Sequence, residues 1–259
     1  MAWLTVLGIP ALVYIMSITA LLFHMSGRTQ NPLLLIGAGF VTAAVYIFHR
    51  SLIQAVEPMQ PRHRLAVLHK KKLLCISSVL FLFAIAIFAL RHPLETLLVF
   101  GSVAGIVVYG RNTFIKPLRT FKYIKPLAVG TAITFFAWAL NDFSNSALTV
   151  VAFVLMCSAD ALVCDLVDCE YDAASGCNTL ALQLGEYRTK ILATAAYALA
   201  SVGLLVAIEH HIIGLYIFIV FVVSLAFSKF DSRYVVDLRL LLVLLLAWVE
   251  WLFWTGQWQ

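Results

Sequence analysis

The chain has 259 residues, of which 63% are hydrophobic and only 12% are charged, and its mean hydropathy is +0.96. This composition excludes an ordinary soluble domain, which carries about twice as much charge, and predicts a multi-pass membrane protein. The net charge of +5 does not indicate a nucleic-acid partner, because the basic residues lie in loops between apolar segments. Five cysteines are an odd number, which argues against a disulfide framework.

Nine apolar segments follow one another along the chain, and a transmembrane helix needs about 20 such residues. We therefore predict an all-α membrane protein, in which residues 1–259 form one domain built as a nine-helix transmembrane bundle. No basic residues precede the first segment, which indicates a first span rather than a cleaved signal. The predicted spans are residues 3–24, 33–49, 73–90, 94–109, 126–140, 147–164, 189–208, 211–227 and 238–255.

The distribution of basic residues predicts the orientation of the bundle. All of the 18 lysines and arginines except Arg28 and Arg91 lie in the connections that follow the even-numbered spans. Because cytoplasmic loops are rich in lysine and arginine, this side is predicted to be cytoplasmic. The N-terminus is then cytoplasmic, and the C-terminus lies on the opposite side.

Three aspartates stand out in this apolar chain. Asp165, Asp168 and Asp172 are spaced by three and four residues, so on a helix they share one face. Ionisable groups at membrane depth are costly and usually functional. Like charges on one face repel each other unless a cation lies among them, and carboxylate oxygens together with substrate phosphates are what Mg²⁺ prefers. The run predicts a site for Mg²⁺ and a diphosphate on the cytoplasmic side.

Two other aspartates are expected to have structural roles. Asp160 lies inside the sixth span and off the face of the acidic run, so we expect it to be buried and hydrogen-bonded within the bundle. Asp142 follows Asn141 on the external side and is expected to lie in a turn between two spans. Gly176 is expected to end the helix of the acidic run, because a chain leaving a helix favours a residue that tolerates positive φ.

The segment from Asp165 to Gly185 resembles the second aspartate motif of the UbiA superfamily of intramembrane prenyltransferases. It contains D-x-x-D-x-x-x-D, then Gly176, a Thr-Leu pair and a Leu-Gly pair, as that motif does. Tyr109, followed by a basic stretch with a proline, resembles the family's loop after its fourth helix. The resemblance implies a helical bundle with a central cavity that is open to lipid. It also implies Mg²⁺ held by the aspartates against an isoprenoid diphosphate, which ionises to an allylic carbocation.

The chain departs from the family at the first aspartate motif, N-D-x-x-D-x-x-x-D, which should lie at the end of the second span. The chain reads HRSLIQAVE there, so His49 replaces Asn, Arg50 and Ile53 replace Asp, and only Glu57 keeps a carboxylate. Arg50 is a candidate for bidentate binding of a phosphate. His49 is a candidate hydrogen-bond donor or acid–base group. The alternative is that this half of the site has decayed.

Further candidates for substrate binding come from the basic loop, from the aromatic residues and from the loop after the acidic run. The basic loop forms one positive face if it is helical, and such a face would bind diphosphate or, alternatively, lipid headgroups. Tyrosine faces stabilise a carbocation. The candidates are Lys116, Arg119, Lys122, Tyr109, Tyr46, Glu57 and Asn178.

The sequence leaves three functions open. The first is transfer of a prenyl group from an isoprenoid diphosphate to a lipophilic acceptor of aromatic or quinone type, with Mg²⁺ as cofactor and the bilayer as the source of substrate. The second is a membrane terpene cyclase, which releases diphosphate without an acceptor. The third is a non-catalytic, lipid-binding relic, because a fold alone does not establish an activity.

Overall fold

A computed structural model of the chain describes residues 2–28, 31–53, 55–91, 93–110, 121 and 124–207. All regular secondary structure in these residues is helical, which confirms the predicted all-α class. The helices are α1 (Ala2–Val6), α2 (Ile9–Met25), α3 (Pro32–Ser51), α4 (Pro61–Leu68), α5 (Lys70–Arg91), α6 (Pro93–Gly110), α7 (Ile124–Leu140), α8 (Ala147–Ala174) and α9 (Leu180–Ala207).

The first seven predicted spans correspond to α2, α3 and α5 to α9, whereas α1 and α4 are short helices that were not predicted. The predicted spans 211–227 and 238–255 lie outside the described residues. Within the described part of the chain, four helices are long and apolar enough to cross a membrane. They are Pro32–Ser51, Lys70–Leu90, Ala147–Ala174 and Leu180–Ala207.

Helices α8 and α9 both extend beyond the apolar spans predicted for them. The predicted sixth span ends at residue 164, but α8 continues through the acidic run to Ala174, because its aspartates point inward and do not interrupt the helix. α9 begins at Leu180 but has a break at Gly185, where φ is 73°. The predicted start at residue 189 therefore corresponds to the part of α9 that follows this break.

Local sequence signals fix both ends of α8. At its start the hydroxyl of Ser146 accepts a hydrogen bond from the backbone N–H of Thr149, 3.2 Å away. At its end Gly176 has a positive φ of 73°. The N–H of Gly176 donates to the carbonyl of Ala173, and the N–H of Cys177 donates to that of Asp172. This is a Schellman motif, which confirms the role expected of Gly176.

A polar cluster joins α2 to the turn between α7 and α8. The side-chain amides of Asn141 and Asn145 both donate to the carbonyl of Leu22, at 3.1 and 2.9 Å. Arg28 and Asp142 form an ion pair of 2.5 Å, and Asp142 lies in the α7–α8 turn with a φ of 49°. The turn expected at Asp142 is thus confirmed, and the cluster holds α2 against α7 and α8.

Helices α7 and α8 approach each other closely at Gly130. A Cβ atom added there would lie 2.2 Å from the Oγ of Ser158, and 2.7 Å from both the backbone N of Ser158 and the carbonyl O of Val154. Two of these three contacts are with backbone atoms, so a side chain at this position forces the two helices apart.

We predict that Gly130→Ala lowers the free energy of unfolding by about 1–3 kcal/mol, as overpacking of a core does. Gly101→Ala is the matched control, because a Cβ atom at Gly101 meets nothing within 4 Å. That change is expected to be neutral or slightly stabilising, since alanine is the better helix former. Equilibrium unfolding of the purified variants in detergent measures the free energy of unfolding of each. Equal stability of the two variants would contradict the close approach.

Candidate functional site

A cavity of about 830 Å³ lies between α2, α3, α6, α7 and α8. This volume is in the usual range for a small-molecule site. Most of its wall is apolar, with Val41, Leu97, Ile133 and Phe136 among the lining residues. The charged and imidazole side chains that gather in its wall define what we call the charged end. They are His49, Arg50, His63, Lys125, Asp165, Asp168 and Asp172.

The three aspartates of α8 all line the cavity, and each contacts a cation of the chain. The Nζ of Lys125 lies 2.7 Å from an oxygen of Asp165 and 2.9 Å from an oxygen of Asp172. Arg62 forms an ion pair with Asp168. These side chains are mostly buried, and a buried carboxylate is tolerated when a cation compensates it. The shared face predicted for the aspartates is therefore present.

Lys125 occupies an unusual position, because it lies in the first turn of α7, directly before Pro126. Proline is common in a first helical turn, but a cation is disfavoured there by the helix dipole. The contacts of Lys125 with two carboxylates of α8 outweigh this local cost. From sequence, Lys125 was only one member of the basic stretch, and its bridging position was not predicted.

The end of α3 brings three of the predicted residues to the cavity. Tyr46, His49 and Arg50 all line it. The guanidinium of Arg50 donates a 2.6 Å hydrogen bond to the hydroxyl of Tyr46, and its carbon lies 4.8 Å from the centre of the Tyr46 ring. The degenerate first motif thus places a buried cation, rather than a carboxylate, at the charged end.

Helix α4 contributes two residues that the sequence analysis missed, Arg62 and His63. Both are buried, and the His63 ring lies 4.2 Å from the ring of Tyr171. Burial, together with the positive charges of Arg50 and Arg62, lowers the pKa of His63 to about 3. His63 is therefore neutral near physiological pH. The only sequence signal for this helix was Pro61 before a short polar segment, and its basic residues were interpreted as a topology signal.

Two predicted substrate-binding residues do not reach the cavity. Glu57 is exposed, accepts a hydrogen bond from the N–H of Met59 and pairs with Arg64 at 3.2 Å, because its loop turns toward solvent. Asn178 is also exposed and accepts a 2.7 Å hydrogen bond from Gln183. The roles predicted for both residues are corrected accordingly.

The remaining predicted residues lie beyond what the structure describes. Lys116, Arg119 and Lys122 are outside the described residues, and for Tyr109 only the backbone, in α6, is described. Their predicted part in substrate binding stays a prediction.

A buried polar pair interrupts the apolar wall of the cavity. The hydroxyl of Tyr14 donates a 2.6 Å hydrogen bond to a carboxylate oxygen of Asp160, and both residues line the cavity. Asp160 precedes Asp165 by five residues, so it lies roughly 7–8 Å further along the axis of α8. The hydrogen bond expected for Asp160 is confirmed, and the pair marks a polar position away from the aspartates.

The donor set at the charged end fits Mg²⁺. Among the described residues, no three His, Cys, Asp or Glu side chains are already arranged around a common metal position. Mg²⁺ does not need such a cage, since it usually takes one or two carboxylates and completes its shell with water and substrate phosphates. Within the part of the chain that the structure describes, the second carboxylate oxygen of Asp165 is buried and has no hydrogen-bond partner, so it can serve as a ligand.

Two known structures share this architecture. A UbiA homologue from Archaeoglobus fulgidus, bound to DMAPP and Mg²⁺, superposes with a TM-score of 0.67 over 95% of this chain and 99% of that chain, at 12% identity. An apo UbiA homologue from Aeropyrum pernix K1 gives a TM-score of 0.67 over 93% and 97% of the two chains, at 14% identity. The chain has the UbiA fold. The resemblance inferred from the segment Asp165 to Gly185 is confirmed at this level. No family model and no curated protein matches the sequence.

We predict that Lys125→Met lowers the free energy of unfolding by about 3–5 kcal/mol, because it leaves two buried carboxylates without their shared cation. Lys190→Met is the matched control. It breaks an exposed i,i+4 pair with Glu186, which is worth at most about 0.5 kcal/mol. Thermal unfolding of both variants in detergent measures the difference. Added Mg²⁺ is expected to restore part of the loss in Lys125→Met, and equal stability of the two variants would contradict the bridging role.

Proposed function

We propose that the chain is a Mg²⁺-dependent enzyme of the UbiA type, which ionises an isoprenoid diphosphate and transfers the prenyl group to a lipophilic acceptor. The observation that carries the proposal is the meeting of three aspartates with Arg50 and Lys125 at one end of an apolar cavity, with Arg62 behind them. An isoprenoid diphosphate matches such a cavity, because it has one charged end and a long hydrocarbon tail. The A. fulgidus homologue, which has the same fold, binds DMAPP and Mg²⁺.

In this proposal the two parts of the substrate bind at different parts of the cavity. The diphosphate binds at the charged end, where Arg50 and Lys125 can donate to its oxygens. Asp165, Asp168 and Asp172 would hold Mg²⁺, which when bound neutralises the charge that develops on the leaving diphosphate. The prenyl tail lies along the apolar wall and enters from the bilayer. The positive-inside prediction places this charged end on the cytoplasmic side.

Ionisation breaks the bond between C1 of the prenyl group and the diphosphate oxygen, and the electron pair leaves with the diphosphate. The preorganised cations at the charged end stabilise that charge without reorganising. The faces of aromatic residues in the wall, among them Tyr46 and Phe136, can stabilise the allylic cation. The apolar wall keeps water away from the cation, which would otherwise be captured as an alcohol.

The Tyr14–Asp160 pair favours a reaction that includes an acceptor. It is a polar position in an otherwise apolar part of the wall, roughly 7–8 Å along α8 from Asp165. A hydroxyl or carbonyl group of an acceptor can hydrogen-bond to it. The Asp160 carboxylate can then take the proton that the acceptor loses when the new bond to C1 forms.

Incubation of the purified protein with prenyl diphosphates of several lengths and Mg²⁺ tests the proposal. Diphosphate release that requires an aromatic or quinone-type acceptor supports prenyl transfer. Release with formation of a hydrocarbon or terpene alcohol, and no acceptor, identifies a cyclase instead. Absence of turnover with every chain length and acceptor, in protein that still binds the substrates, identifies the non-catalytic alternative.

We predict that Asp168→Asn lowers turnover by about a hundredfold or more, because it removes a carboxylate that balances and positions the cations around the leaving group. Glu170→Gln is the matched control, since Glu170 is exposed and lies on the other side of the same helix. It is expected to keep the wild-type rate. Steady-state diphosphate release measures both, and a thermal unfolding curve shows that each variant is folded. A wild-type rate in Asp168→Asn would refute the assignment of the acidic run.

A further inference from the structure

Around the charged end, the Nε atoms of Arg50 and Arg62 and the Nδ1 atom of His63 are buried and have no hydrogen-bond partner within the described residues. Their residues are 9%, 6% and 1% exposed, respectively. Arg50 and His63 line the cavity directly, and Arg62 lies behind it against Asp168. Buried donors without acceptors are costly, so their clustering at a cavity wall indicates a ligand that is rich in acceptor oxygens.

The charge balance around the aspartates requires Arg50. The three carboxylates carry three negative charges, and Lys125 and Arg62, which contact them, supply two positive charges. Arg50 supplies the third, although in the described part of the chain it forms no ion pair and donates only to the hydroxyl of Tyr46. No carboxylate therefore occupies its remaining N–H groups, and an anion that enters the cavity can bind them.

Among anions, a phosphate group fits these donors best. A guanidinium binds two phosphate oxygens with parallel N–H groups, and the Nε–H of arginine is one of the donors used in such pairs. The imidazole of His63 can add a neutral donor. The donors come from the end of α3 and from α4, the part of the chain where the resemblance places the first aspartate motif.

We infer that Arg50 and His63, with Arg62 behind them, form an anion subsite in which Arg50 and His63 bind a phosphate of the diphosphate directly, without a metal ion. The inference rests on the proposed function, since it concerns the same substrate. The carboxylates of the family's first aspartate motif can bind phosphate only through a metal ion. In this chain, groups that hydrogen-bond directly to the phosphate replace them. One phosphate then lies on the α3–α4 side, and the α8 aspartates hold Mg²⁺ against the other.

Binding of inorganic pyrophosphate to the full chain in detergent tests the subsite. Isothermal titration calorimetry is run once with EDTA and once with Mg²⁺. We expect measurable binding in EDTA, and Arg50→Met is expected to weaken that binding about tenfold or more, the usual effect of losing a charge-assisted hydrogen bond. The affinity of Arg50→Lys for pyrophosphate is expected to lie between those of the wild type and Arg50→Met, because lysine keeps the charge but lacks the planar donor pair.

Arg64→Met is the matched control, because Arg64 is an exposed arginine of the same helix that pairs with Glu57 outside the cavity. Its affinity for pyrophosphate is expected to equal that of the wild type. Thermal unfolding shows whether each variant is folded. If Arg50→Met is not, His63→Phe replaces it, since phenylalanine keeps the ring packing on Tyr171 and removes Nδ1. We expect a severalfold loss in that variant.

Two results would overturn the subsite: pyrophosphate that binds only when Mg²⁺ is present, and wild-type affinity in Arg50→Met or, where that variant is unfolded, in His63→Phe. Either result leaves the proposed function standing if turnover of prenyl diphosphates still depends on Asp168. Conversely, metal-free binding of pyrophosphate that needs Arg50, in protein that turns over no prenyl diphosphate, supports the subsite and refutes the proposed function.

Discussion

The arrangement of this cavity depends on the compensation of three carboxylates that α8 carries into an apolar bundle. Asp165, Asp168 and Asp172 are tolerated there because Lys125 and Arg62 contact them from two other helices. Each contact fixes a neighbour: Lys125 holds the first turn of α7, and Arg62 holds α4. The requirement that charge be balanced at low dielectric therefore positions the elements that surround the charged end.

The opposite end of the same helices is held by neutral hydrogen bonds. Asn141 and Asn145 donate to the carbonyl of Leu22, and they join the α7–α8 turn to the end of α2. Between the two ends, α7 and α8 touch at Gly130, where no side chain separates the backbones. Because α7 and α8 are joined near both ends and at this contact, and α2 is tied to them at one end, the space that these helices enclose is a shaped cavity rather than a gap in loose packing.

Sequence reasoning predicted the features that depend on periodicity and failed at those that depend on tertiary contact. Apolar runs predicted the bundle, and the spacing of the aspartates predicted their shared face. Gly176 predicted the end of α8, but the apolar span alone would have ended at residue 164, because charged residues are expected to be exposed to solvent, whereas Asp165 and Asp172 point inward. Helix α4 is too short for a periodic signal, so Arg62 and His63 were missed. Glu57 matched the family's spacing, but its loop leads it toward solvent.

The substitution at Arg50 shows how one half of such a site can change its chemistry while the fold is kept. A carboxylate there would add negative charge to the α8 aspartates, and it would require a metal ion before any phosphate could approach. A guanidinium balances that charge and contacts phosphate itself. The two arrangements serve the same anion but respond differently to Mg²⁺. At the charged end, the buried Nε atom of Arg50 still lacks an acceptor within the described residues, and a diphosphate can supply it.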